Sequence, residues 1–533
     1  MPYAEWTSGH RRACAYPVCN HRSEARDPET GSLQSFPESV NRMVRRAYVM
    51  ASLEQYFALL INFTVLVIMA RILTPGEIGE AVTGLAIAVV AFSAREFVTS
   101  EFLIQRGTVD VETLRTALTL QVAVSVMIAA GLVALSGLIT RFYAAPDLSF
   151  FLSLAAVAGV VEALAQPVIA LLRREMGFGV LACIRTAVSL TAALATIILA
   201  SLGFGPIAFA WGMLAGSLTL AVLAVTCSPF PAAAIFRPGL ARWREVLSFG
   251  MFKGAALVVE RLHETVPQLI LGRIASMTSV ALYNRSNTLC GIPDRIIMSA
   301  FYSMAFPALA SRVRDGHDIE KTYLGVLAYL SVLYWPGVVL ISFLAPSIVG
   351  IVLGPQWAEA VPLVRVLALA AVFWLPVIVT GPLLLALGRN RDAFLASLVS
   401  RCLAAGILCT ASLYGVMAMA LSQFVSLPLQ MIIALAFVHR HVRFSLSSLV
   451  AALMPSAIVT GFALVGPVAL VALPGHEEAG LLVLLATILL AGGGWLIGLL
   501  ATRHPFLTEL HVLLNAGRNR ARRLRRFLVA SGA

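Results

Sequence analysis

The chain has 533 residues, of which 59% are hydrophobic and only 12% charged, and its mean hydropathy is +0.88. That balance excludes a string of soluble domains and points to a polytopic membrane protein. The formal charge of +12 is carried almost wholly by arginine, with Lys253 and Lys321 the only lysines; basic residues gathered in loops and tails at a membrane surface account for it without nucleic acid. Seven cysteines, an odd number with five in apolar segments, imply no disulfide framework.

Residues 1–46 are polar and rich in Arg, Glu, Pro and Ser, with no apolar core or cleavage site of a signal peptide. They read as a disordered cytosolic tail, and Met43 and Met50 offer alternative starts. His10, Cys14, Cys19 and His21 lie close together there, but their spacing fits no common structural zinc site. Apolar runs of about 20 residues then predict fourteen membrane spans: 48–70, 79–104, 116–139, 150–172, 179–201, 206–227, 246–272, 277–306, 323–353, 362–387, 394–413, 415–437, 448–473 and 481–501. The ten-residue alternation of an outer-membrane barrel is absent, so the expected fold is all-helical.

Loop charge predicts the orientation. With the N-terminus in the cytosol, fourteen basic residues from Arg106 to Arg443 fall in inside loops, against Arg71, Arg141 and Arg273 outside. The acidic loop PGHEEAG (474–480) then lies outside and both tails lie in the cytosol. The C-terminal tail carries six arginines between Arg518 and Arg526, which suits a helix lying on anionic lipid at about 1 kcal/mol per basic residue.

ARILTPGEIGEA after the first span resembles GRIASMTSVALY after the seventh, 202 positions on from Arg71 to Arg273. Six spans separate the copies, so the halves share one orientation, as in parallel-repeat transporters with a site between lobes. The expected organisation is an N-lobe over 47–227, a cytosolic linker over 228–245 and a C-lobe over 246–443. An extra helix pair follows over 444–501, then a basic tail over 502–533.

The seventh and eighth spans depart from the rest. Lys253, Glu260, Arg261, His263 and Glu264 sit near the middle of the seventh, where each ionised residue facing lipid would cost about 2.5–3.5 kcal/mol. Lys253, Glu260 and Glu264 are seven and four residues apart, hence on one helix face, with His263 beside it and Arg261 about 100° round. The eighth repeats the theme with Arg285, Asp294 and Arg295. Such a pair belongs against a wet cavity. Prolines in or beside spans, among them Pro167, Pro267, Pro293, Pro376 and Pro382, can break helices at such a cavity.

Local phrases give this pattern a family likeness. ARILTPGEIG, EFLIQRG, ALYNRSNTL, FPALASRVRDG and IVLGPQWAEAVPLVRVLALA, spread over roughly residues 46–445, resemble the polysaccharide transporter (oligosaccharide flippase) branch of the multidrug/oligosaccharidyl-lipid/polysaccharide exporter superfamily. AREFVTSEFLIQ departs from it, carrying Arg95, Glu96 and Glu101 where many relatives have an apolar second helix. The resemblance implies movement of an undecaprenyl-pyrophosphate-linked oligosaccharide to the outer leaflet of the inner membrane. Rocking lobes would provide the access and a proton or sodium gradient the energy, with no enzymatic step and no cofactor. No GxxxxGK[ST] is present, which agrees. Membrane lipids and a polysaccharide polymerase or export machinery are the implied partners, and nucleic acid is not.

A diphosphate–sugar head group calls for cations, and arginine's bidentate fork suits it. Lys253, Arg261 and Arg295 are the foremost candidates, followed by Arg95, Arg285, Arg185 and Arg401. For each the alternative is snorkelling or an ion pair within one lobe. Glu260, Glu264, Asp294, His263 and Glu162 are the ion-coupling candidates, since deep carboxylates can take and release a proton. Pairing of Glu260 or Glu264 with Arg261 or Lys253 is the competing reading. Rival functions are a drug/cation antiporter of the same superfamily, a peptidoglycan precursor flippase, and a membrane glycosyltransferase or polymerase. The last would need a sizeable outside loop.

Overall fold

The computed structural model describes residues 38–98, 102–105, 110–175, 177–228, 237–300, 311–312, 318–471, 481–508 and 510. The Cys/His group, the PGHEEAG loop, the C-terminal arginines and residues 229–236 of the linker lie outside the described residues. Every regular element among those described is helical.

The first lobe comprises α1 (Glu38–Ile72), α2 (Pro75–Ser93), α3 (Val111–Tyr143), α4 (Leu148–Arg174), α5 (Phe178–Ser201) and α6 (Ile207–Thr226). Helix α1 starts within the stretch expected to be tail. The second lobe begins with α7 (Trp243–Ile274), α8 (Met277–Cys290), α9 (Ile292–Ala300) and α10 (Ile319–Phe343). It continues with α11 (Ala360–Ala370), α12 (Leu375–Ala386), α13 (Asn390–Ser412), α14 (Val416–Leu421) and α15 (Gln423–His439). The extra pair is α16 (Leu446–Val471) and α17 (Leu481–Thr502). Twelve helical segments among the described residues are long and apolar enough to cross a membrane. The two remaining expected spans are the charged ones: α7, a 32-residue helix, and the eighth span, divided into α8 and α9.

Packing repeats between the lobes. In the first, α1 packs on α5, α5 on α6 and α3 on α4. In the second, α7 packs on α13, α13 on α15 and α10 on α11. The turns that open α2 and α8 also correspond. Thr74 caps α2 by accepting from the Glu77 amide, Glu77 answering in a capping box. Ser276, 202 positions on, caps α8 by accepting from the Ser279 amide. The pair α16–α17 packs on α10, so it extends the second lobe. There Ser456 bonds Ser331 at 2.8 Å and meets His504 Nε2 at 3.1 Å.

The lobes meet along α2 through glycine contacts. A Cβ on Gly79 would stand 1.8 Å from the Met277 carbonyl oxygen, and one on Gly250 would stand 2.2 Å from that of Phe97. Only glycine lets α2 lie so close to α8, and α7 so close to the 3₁₀ turn Ala94–Val98 that follows α2.

Candidate functional site

Two of the helix breaks in the second lobe lie at cavity walls. The eighth span is interrupted at Gly291, with Pro293 in the first turn of α9. The tenth passes through the 3₁₀ turn Ala371–Trp374 into α12, where Pro376 follows. Proline removes an amide from the helical ladder and frees a carbonyl; Trp335 Nε1 donates to that of Val372 at 3.1 Å. Helix α7, by contrast, continues through Pro267.

Three cavities surround these breaks. The largest, about 1130 Å³, lies between the lobes, with Gln55, Tyr56, Leu59, Asn62 and Phe63 of α1 facing Arg285, Thr288, Asp294 and Arg295. The second, about 610 Å³, lies inside the second lobe and is lined by Glu260, His263, Glu264 and Gln268 of α7. Asn284, Asn287, Trp374, Arg401, Gln423 and Gln430 also line it. The third, about 300 Å³, sits behind Gln430 and Arg401. Asp294 lines all three.

The expected cations fall into distinct settings. Arg95 is bound inside the first lobe, donating to Glu162 at 3.1 Å and to the Gly159 carbonyl at 3.2 Å. Glu162 also accepts from Gln166 at 2.9 Å. Arg185 stands 3.9 Å from Glu54 of α1, and Arg401 stands 3.1 Å from Glu260 of α7. Arg261 pairs with Glu264 at 3.0 Å and lines none of the three cavities. Lys253 lies on α7, but its side chain lies outside the described residues. Arg285 is only 9% exposed, and its Nε has no hydrogen-bond partner among the described residues. Arg295 is exposed beside it. Among the described residues neither Arg285 nor Arg295 forms an ion pair, so both guanidiniums remain available to the interlobe cavity.

The face of α7 read from residue spacing is the face that lines the second-lobe chamber, with Glu260, His263 and Glu264 on it and Arg261 off it. His263 Nδ1 and Nε2, Asp294 Oδ1 and Gln423 Oε1 are buried atoms without a partner among the described residues. Sequence reasoning missed Glu54, although an acid in an apolar span was the signal that found the others. It also missed Trp374, Gln423 and Gln430, which carry no charge to mark them.

At the end of α1 the lobes are latched. The last carbonyls of a helix have no intrahelical donor, and here the other lobe supplies them. Gln356 Nε2 donates to the Ala70 carbonyl and to that of Leu73 at 3.1 Å, and Trp357 Nε1 donates to Ala70 at 3.0 Å. In return Arg71 donates to the carbonyl of Ile351. Trp357 is fully buried. Away from this end, Arg242 ahead of α7 meets Asp110, the cap of α3, at 3.2 Å. The Thr113 hydroxyl and amide, with Arg242, hold the Asp110 carboxyl below its usual range.

Residues 68–362 match the family described as polysaccharide biosynthesis protein. The lipopolysaccharide biosynthesis protein WzxC of Escherichia coli (strain K12) is 24% identical over 339 residues, covering 63% of this chain and 68% of that protein. The teichuronic acid biosynthesis protein TuaB of Bacillus subtilis (strain 168) is 23% identical over 303 residues. That match covers 55% of this chain and 60% of the Bacillus protein, less than two thirds of its length. A solved structure of the lipid II flippase MurJ, in an inward closed conformation, superposes with a TM-score of 0.67 at 13% identity. It covers 84% of this chain and 98% of that one. At that identity the likeness is one of fold.

Proposed function

The chain belongs to the polysaccharide biosynthesis protein family, and from that premise we propose that it flips an undecaprenyl-pyrophosphate-linked oligosaccharide from the cytosolic to the outer leaflet. The observation that carries this reading is the pair Arg285 and Arg295 in the interlobe cavity. Two guanidiniums face one carboxylate there, that of Asp294, so the cavity is net cationic and suits a diphosphate. Tyr56, Leu59 and Phe63 give the same cavity an apolar wall along which a polyprenyl chain can run. With the N-terminus in the cytosol, the Gln356–Trp357 latch lies on the outer side and the cavity lies inward of it. The lobes then exchange by breaking the latch and closing below it, around the site between them.

In this reading the protein resides in the inner membrane with both termini in the cytosol, and it makes or breaks no covalent bond. It uses no cofactor and is driven by a proton or sodium gradient. Asp294 is the favoured coupling group because it borders both main cavities, whereas Glu162 is held by Arg95 and Gln166. A polymerase or export complex receives the flipped lipid. The two lobes are the units that move.

The test is complementation of a deletion strain with wild type, Arg285→Ala or Arg285→Lys, with surface polymer and inner-leaflet lipid-linked precursor both assayed. The reading expects polymer to be lost and precursor to accumulate with Arg285→Ala, with Lys a poor substitute because it lacks the planar fork. Normal polymer from well-expressed Arg285→Ala and Arg295→Ala would count against it.

A further inference from the structure

We propose that the chamber inside the second lobe, of about 610 Å³, is the oligosaccharide subsite, separate from the diphosphate position between the lobes. The inference rests on the flippase reading above and assigns the sugars a place of their own. Three features carry it. The first is charge. Glu260, Glu264 and Asp294 line it with two guanidiniums, Arg295 and Arg401, and Arg261 neutralises Glu264 from outside the lining, so the chamber is formally neutral. The interlobe cavity is net cationic, with Arg285 and Arg295 against Asp294. A diphosphate is therefore drawn to the interlobe side, and a neutral polyhydroxyl group is better placed in the chamber.

The second is the kind of polar group on the wall. Asn284, Asn287, Gln268, Gln423 and Gln430 line it, and each amide offers donors and an acceptor side by side. Sugar hydroxyls both give and take hydrogen bonds, so amides match them better than single-sign groups do. Trp374 lines the same space, and the apolar face of a pyranose can lie on an indole. The third is unmet hydrogen bonding. His263 Nδ1 and Nε2, Asp294 Oδ1 and Gln423 Oε1 are buried without a partner among the described residues, and all belong to the chamber wall. Buried polar atoms are rarely left so, and hydroxyls of a bound sugar would satisfy them. The volume falls in the range of roughly 300–1,000 Å³ usual for small-molecule sites. Asp294 and Arg295 border both spaces, so one ligand can enter both.

The test measures binding to the full-length protein in nanodiscs. The probes are undecaprenyl diphosphate and the lipid-linked oligosaccharide fraction extracted from source cells lacking this gene. The variants are Asn287→Leu, close to isosteric and at an exposed position on α8, and Gln430→Met, which keeps the length of the side chain. Each is expected to weaken the sugar-bearing probe about tenfold while leaving undecaprenyl diphosphate within about twofold of wild type. Unchanged binding of both probes, or equal loss of both, overturns the subsite. Wild type that binds undecaprenyl diphosphate but gains nothing from the sugars overturns the subsite and leaves the flippase reading standing. Wild type that binds neither probe but binds ethidium overturns both.

Discussion

Arg401 Nη2 lies 3.1 Å from Glu260 Oε1, and this pair ties α13 to α7 across the wall of the second-lobe chamber. The corresponding helices of the first lobe are tied in the same way but more loosely, Arg185 standing 3.9 Å from Glu54. Each lobe thus carries an ion pair between its first and fifth spans, and the repeat extends from backbone to charge. Only the pair in the second lobe opens onto a described cavity.

The two pairs should differ in strength. Arg401 and Glu260 are 27% and 36% exposed and 3.1 Å apart, whereas Arg185 and Glu54 are 43% and 15% exposed and 3.9 Å apart, so separation and not burial distinguishes them. Both lie between exposed pairs, worth about 0.2–1 kcal/mol, and buried ones, which cost about 3–5 kcal/mol to break. A double-mutant cycle on detergent-phase stability with Arg401→Met and Glu260→Gln is expected to give a coupling of about 1–2 kcal/mol. The cycle with Arg185→Met and Glu54→Gln is expected to give under about 0.5 kcal/mol. Equal couplings would contradict this account.

Arg95 should matter for stability and not for substrate. Its side chain is 11% exposed and bound to Glu162. Arg95→Met alone leaves that carboxylate partnered only by Gln166 and should reduce the amount of folded protein. Adding Glu162→Gln should restore much of it. Binding of undecaprenyl diphosphate, per folded molecule, is expected to stay at the wild-type level.

Under the proposed alternating access, the latch is expected to set the balance between the two states. Gln356→Leu removes two hydrogen bonds to the end of α1, at about 1 kcal/mol each. The population open on the latch side should rise about tenfold or more. A cysteine placed at Asn62 in a cysteine-free background reports this as faster labelling from outside by an impermeant maleimide. An unchanged rate would mean that the latch does not hold the lobes.

Gly79→Ala attacks the same closure by contact. Its methyl would fall 1.8 Å from the Met277 carbonyl oxygen, which backbone cannot yield without shifting α8. Overpacking of this kind costs about 1–3 kcal/mol. The variant is expected to label at position 62 as Gln356→Leu does.

Acid should loosen the segment that follows α17. His504 is 1% exposed, and burial lowers its pKa from the usual 6.5. A base with a depressed folded-state pKa binds its proton more readily when released. Its contribution to docking is therefore full above 6.5 and declines as pH falls below that value. Limited proteolysis after Thr502 is expected to accelerate from pH 7.5 to pH 5.5, and His504→Gln should flatten that dependence.

Much of the candidate site was legible in residue type alone, because an ionised side chain in an apolar run is expensive unless water or a partner meets it. That cost marked α7 and the α8–α9 segment before any geometry was known, and helical spacing separated Glu260, His263 and Glu264 from Arg261. What the cost cannot tell is which charge answers which. Arg95, Arg401 and Arg285 look alike as arginines in apolar spans. The first two are neutralised by Glu162 and Glu260, which stand 67 and 141 positions away in the chain, and the third is left facing a cavity. The all-helical, many-span architecture follows from the sequence by itself, since hydropathy is a local quantity. Pairing, the latch of Gln356 and Trp357 on α1, and the amide-lined chamber follow only from tertiary structure. They depend on contacts between helices distant in the chain, and neutral side chains such as Gln423 and Gln430 leave no mark in hydropathy.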